Sequence, residues 1–242
     1  MGGRGVSAFG GGGGRFGGGG KIFIDDSGIG TSRGIASATN MIVGAFGSES
    51  IQKAIDYVTG AMENVTGRDN YLGVSITGGA TGEGGTYAWM SPFSGEMGLN
   101  TDYFKYDSSH VEKTYASDVK SGFHPKGTTY KDVMVHEAAH RLDGVLSQKM
   151  WDAGGPHTAS STQIVREAIN NIKAQRGGKG RALDIQKGLS GYGARYYSSH
   201  TGDAYVETFA EAIADYHANG KNANPLSKQI VNITRSYIQR YQ

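Results

Sequence analysis

The period of the hydrophobic positions changes several times along the chain. Ile51, Ala54, Ile55, Val58, Met62 and Val65 recur at helical spacing, with Ser48 or Ser50 placed to cap the start, which predicts an amphipathic helix over residues 49 to 64. Ahead of it, the run KIFI (21 to 24) predicts a short strand. Behind it, YLGVSI (71 to 76), TYAWM (86 to 90) and EMGLN (96 to 100) read as strands, and Pro92-Phe93-Ser94-Gly95 predicts a hairpin between the last two. An antiparallel sheet is therefore expected. The period then becomes helical again in VMVHEAAHRL (133 to 142), which Gly144 is expected to terminate, and in Thr162 to Ala174. Asp203 can cap a helix running to about Ala218 with Gly220 as its stop, and Ile230, Ile233, Tyr237 and Tyr241 mark a last amphipathic helix. A small sheet ahead of several helices is an α+β pattern. It predicts one domain over residues 21 to 242, with its core at about 49 to 242.

Composition alters this picture at one end. Residues 1 to 20 are mostly glycine with Arg4 and Arg15, too little apolar area to offset the entropy of ordering them, so they are read as a flexible arm. The chain has no cysteine, which excludes disulfides, thiolate metal sites and a cysteine nucleophile. A net charge of +2 with 19% charged residues neither demands nor excludes nucleic acid. The basic segment from Lys173 to Arg195, with Asp184 as its one acid, is read as a solvated loop in preference to a nucleic-acid or acidic-protein contact. No apolar run approaches the roughly 18 residues of a membrane span. The expectation is a soluble chain, cytoplasmic or virion-associated, with no membrane partner.

Chemistry concentrates in the third helical run. His136, Glu137 and His140 form His-Glu-x-x-His, and on a helix the two histidines share one face about a turn apart. They can present two imidazole nitrogens to one Zn²⁺ ion, which accepts neutral imidazole and prefers four-coordinate geometry. Two histidines and one further protein ligand leave a position for water, and Glu137 is placed to take its proton as general base. Val133, Met134, Val135 and Leu142 flank the motif, so the histidines border a core and need partners there.

The third ligand follows from spacing only in part. A third histidine of the metzincin type would fall at Leu146, and Asp143 is too near on the same helix. Downstream, Glu207 and Glu211 in ETFAEAIADY share one helix face, with Phe209, Ala210 and Ile213 on an adjoining buried face. One carboxylate can reach the metal. The other can hydrogen-bond a ligand histidine or brace the helix.

The stretches VMVHEAAHRLDG and VETFAEAIADY, with a looser echo in GEMGLNTDYF, resemble the gluzincin-type zinc metallopeptidases related to the anthrax lethal factor catalytic domain and the Pro-Pro endopeptidases. Related zincin domains occur in phage head-associated proteins and mobile-element toxins. The resemblance spans about residues 84 to 218. It implies a zincin-like α+β fold with a small antiparallel or mixed sheet, an active-site helix, and a second helix carrying the glutamate ligand. It implies that Glu207 is the third zinc ligand, that Glu211 supports and orients the ligand set, and that the strand before the motif helix aligns substrate. The family places a tyrosine about seven residues before the ligand glutamate, where this chain has His200; Tyr197 lies ten before and Tyr196 eleven. Tyr197 is the preferred oxyanion donor, with Tyr196 and His200 as alternatives. The implied activity is zinc-dependent endoproteolysis of a protein or peptide substrate. The competing reading is a phage head-associated structural or interaction protein that retains the fold without significant proteolysis, with assembly proteins as its partners.

Overall fold

The computed structural model of the chain describes residues 23–25, 75–77, 87–90, 92–93, 96–99, 103, 108–195 and 203–241. The glycine-rich arm, the helix expected over residues 49 to 64, and Tyr196, Tyr197 and His200 lie outside them. The strands are β1 (Phe23–Asp25), β2 (Ser75–Thr77), β3 (Ala88–Met90) and β4 (Glu96–Leu99), in the order β1-β2-β4-β3. β3 and β4 form the expected antiparallel hairpin, Trp89 opposite Gly98. β4, however, runs parallel to β2, and β2 parallel to β1, so the sheet is mixed and not purely antiparallel. The hairpin places β3 at the edge and leaves the other side of β4 to pair inward with a strand of the same direction.

Helices make up most of the described chain. They are α1 (Ser108–Lys120), α2 (Val133–Asp152), α3 (Ser160–Gln175), α4 (Ala182–Lys187), α5 (Gly191–Arg195), α6 (Asp203–Asn219) and α7 (Pro225–Arg240), with short 3-10 turns at Tyr130–Asp132 and Gly220–Asn222. Leu142, Leu146 and Met150 of α2 are fully enclosed in one core with Ile164 of α3, Phe209 of α6 and Ile230 of α7. The start of α7 has a local cause. Pro225 occupies the first turn and the Asn224 side chain accepts a hydrogen bond from Leu226 N at 2.9 Å. No helix among the described residues is long and apolar enough to cross a membrane.

Two further expectations need correction. Gly144 does not end the motif helix, which continues through it to Asp152. A methyl group at Gly144 would collide with the backbone carbonyl of Pro92, while Arg141 Nη1 donates to the carbonyls of Pro92 at 2.7 Å and Phe93 at 2.6 Å. The missing Cβ therefore lets the β3–β4 turn sit directly on α2. Alanine in a helix interior is favoured over glycine by about 1 kcal/mol, but forcing a methyl into a packed contact costs typically about 1–3 kcal/mol. The contact wins, and Gly144→Ala is expected to lower the denaturation midpoint in urea; an unchanged or raised midpoint would contradict this role.

The basic segment is likewise not a solvated loop throughout. Its second half folds as α4 and α5, with Ile185, Leu189 and Ala194 buried, while the Arg181–Asp184 pair at 2.8 Å stays on the exposed side. Asp143, dismissed as a ligand, has a structural use. Its carboxylate accepts from Ser161 N at 2.7 Å, Ser161 Oγ at 2.6 Å and Ser160 Oγ at 2.6 Å, so a side chain of α2 satisfies the first turn of α3.

Candidate metal centre

α2 and α6 pack face to face, and each carries a pair of polar side chains one turn apart. α6 can approach closely because Ala210 and Ala214, on the side of Glu207 and Glu211, are small and buried, with Phe209 and Ile213 filling the core beside them. The histidine pair of α2 thereby meets the carboxylate pair of α6. His136 Nε2 lies 3.1 Å from His140 Nε2, and Glu207 Oε2 lies 3.2 Å from the first and 3.6 Å from the second. Glu211 sits one turn further along, its Oε1 3.2 Å from His136 Nδ1 on the far side of that ring.

The dimensions of the triangle suit a small metal ion. Four-coordinate zinc with bonds of about 2.0–2.1 Å holds neighbouring ligand atoms about 3.3 Å apart, and the three edges here bracket that value. Glu207 Oε2 is enclosed and has no hydrogen-bond partner, although it faces both imidazoles. Three donor atoms that converge on one point, with one hydrogen bond among them between the two Nε2 atoms and the carboxylate oxygen left over, are suited to a shared cation. Among the described residues, His136, His140 and Glu207 form the one group of this kind.

The electrostatics point the same way. Burial alone would depress the His136 imidazole, but the carboxylates of Glu207 and Glu211 outweigh it and hold its pKa well above the usual value. Burial alone would raise Glu207, yet His140 and His136 keep it well below the ordinary carboxylate range. Glu211 is lowered in the same way, against its burial, by His124 and then His136. Thus the two glutamates stay ionised beside a site that favours positive charge. Glu137 behaves differently. It is 5% exposed, and burial pushes its carboxyl above the usual range against the pull of His136 and His140.

A small cavity adjoins the triangle, with His136, Glu137 and Glu211 on one side and Tyr87, Tyr115 and Tyr192 among its other walls. Ala88 of the edge strand β3 also lines it, so the strand passes beside Glu137. Gly193 explains how Tyr192 arrives there. A Cβ at Gly193 would lie 2.8 Å from Thr208 Oγ1, so its absence lets α5 press against α6 immediately beside Glu207. The Tyr192 ring comes within 5.9 Å of the His136 ring.

The structure therefore brings together His136, Glu137, His140, Glu207 and Glu211. Sequence reading missed His124, whose Nδ1 lies 3.0 Å from Glu211 Oε1, and Tyr192. A histidine followed by proline, twelve residues ahead of the motif, was the one available signal for the former. Comparison with known protein families, with curated proteins and with solved structures returned no match.

Proposed function

We propose that the chain is a zinc-dependent endopeptidase of zincin architecture, with His136, His140 and Glu207 as the metal ligands. The observation that carries this reading is the triangle of donor atoms with edges of 3.1, 3.2 and 3.6 Å, placed next to a buried glutamate. Two imidazoles and one carboxylate are a donor set that suits catalytic zinc and leaves a coordination position open. When bound, zinc supplies a Lewis acid that activates water and polarises a carbonyl. Glu137 is the proton carrier. Its raised pKa suits a base that accepts a proton from water and then returns it to the departing amine.

The other residues position these groups. Glu211 accepts from His136 Nδ1 and leaves Nε2 directed at the triangle. β4, the strand that precedes the motif helix in sequence, is paired on both sides, with β2 and β3. The substrate-aligning role falls instead to β3, which lies at the edge of the described sheet beside Glu137 and offers main-chain groups to an extended peptide. Tyr197 remains the proposed oxyanion donor, with His200 as its alternative.

The test is incubation of the zinc-loaded protein with a broad peptide library, with and without 1,10-phenanthroline. Internal cleavage that stops with the chelator and returns with added zinc is expected. Silence across the library from folded, zinc-loaded protein would contradict endoproteolysis and favour an assembly or partner-binding role.

A further inference from the structure

We propose that His124 is a positioning residue of the metal centre, which holds Glu211 in place and through it fixes the orientation and tautomer of His136. The inference rests on the reading of His136, His140 and Glu207 as metal ligands. Glu211 Oε1 is shared: it lies 3.0 Å from His124 Nδ1 and 3.2 Å from His136 Nδ1. A carboxylate oxygen accepts from both rings, so Nδ1 carries the hydrogen in each. In the neutral ring that metal ligation requires, that leaves the lone pair of His136 on Nε2, the atom that faces His140 and Glu207.

His124 is clamped for this task. Its ring stacks on Tyr115 at 4.5 Å and 7°, and meets Phe123 edge-on at 5.2 Å. The Tyr115 hydroxyl donates to Thr128 Oγ1 at 3.2 Å, and Thr128 Oγ1 donates to the carbonyl of Pro125 at 2.7 Å, so the stacking partner is tied to the turn that bears His124. Backbone hydrogen bonds from Gly191 N to the Gly122 carbonyl (2.8 Å) and from Tyr192 N to the Phe123 carbonyl (2.9 Å) join that turn to α5.

The chemistry of the slot argues that the imidazole is there for one bond. His124 is 7% exposed, its walls are mostly aromatic, and its Nε2 is enclosed without a hydrogen-bond partner. Phenylalanine would fill the same space without a stranded nitrogen, because an enclosed polar atom that finds no partner is destabilising. What phenylalanine lacks is the Nδ1 donor to Glu211.

The experiment compares His124→Phe, which keeps the aromatic packing and loses the donor, with His124→Asn, whose amide nitrogen falls near the position of Nδ1. Zinc affinity is measured by competition with a chromophoric chelator, the visible bands of the cobalt form are recorded, and folding is followed by thermal unfolding without added metal. His124→Phe is expected to stay folded, lose about 10–100-fold in affinity and shift the cobalt bands, while His124→Asn recovers most of both. Affinity within about threefold of the parent with unchanged bands, or no recovery in His124→Asn, would overturn the proposal. Should His124→Phe not fold, ¹⁵N-histidine spectra of the parent decide: the His124 ring signals should show the Nδ1–H tautomer and move when zinc is added, and signals that zinc leaves unmoved overturn the proposal. A parent that binds no zinc overturns the metal centre itself and this inference with it. A parent that binds zinc as tightly as His124→Phe does overturns this inference alone.

Discussion

On the proposed reading, Glu137→Gln is expected to lower the rate of peptide cleavage by roughly 10²–10⁴-fold, the usual contribution of a positioned general base, and to leave zinc binding in place. The substitution is nearly isosteric and removes only the ability to take and return a proton. It touches none of the three donor atoms of the triangle. Its effect on stability should run opposite to its effect on rate. Burial raises the pKa of Glu137, so the ionised carboxylate is unfavourable at this position, and a neutral amide relieves that penalty. The variant is therefore expected to unfold no earlier than the parent. Steady-state cleavage of the best library peptide, with chelator competition and thermal unfolding on the same preparations, checks all three statements. Cleavage at the parental rate would remove Glu137 as the base, and loss of zinc would make the result uninformative about proton transfer and point to a ligand role for Glu137.

Much of the candidate site is legible in the sequence because both halves lie on helices, where an i, i+4 pair fixes which side chains face one way. His136 with His140, and Glu207 with Glu211, are such pairs. Spacing alone cannot rank the two glutamates; their distances do, since Glu207 faces both Nε2 atoms while Glu211 faces Nδ1 on the back of one ring. His124 is less visible. It lies in a turn, where no period applies, and meets Glu211 across 87 residues of chain. α1 escapes notice because its apolar stripe is narrow, Val111, Tyr115 and Val119, on a mostly polar helix. α4 and α5 are masked by glycines, although one of these, Gly193, is what lets α5 reach α6. Gly144 reads as a terminator because the sequence does not reveal that the Pro92 carbonyl occupies the space of its missing side chain.

The His136→Ala/His140→Ala double variant loses two of the three donor atoms of the triangle and should bind no zinc at the site. Glu207 would then remain alone, and one carboxylate does not hold zinc against water. Folding gives an independent readout. A metal present at about 100 times its Kd stabilises the folded state by about 2.7 kcal/mol, and each 1 kcal/mol moves the Tm of a chain of this size by about 2–4 °C. Added zinc should thus raise the Tm of the parent by several degrees and leave the double variant where it was. The direct measurement is elemental analysis of both proteins after zinc loading and exhaustive dialysis. One zinc per chain in the parent and none in the double variant is the predicted result; one zinc per chain in both, or none in the parent, would contradict a metal centre built from His136, His140 and Glu207.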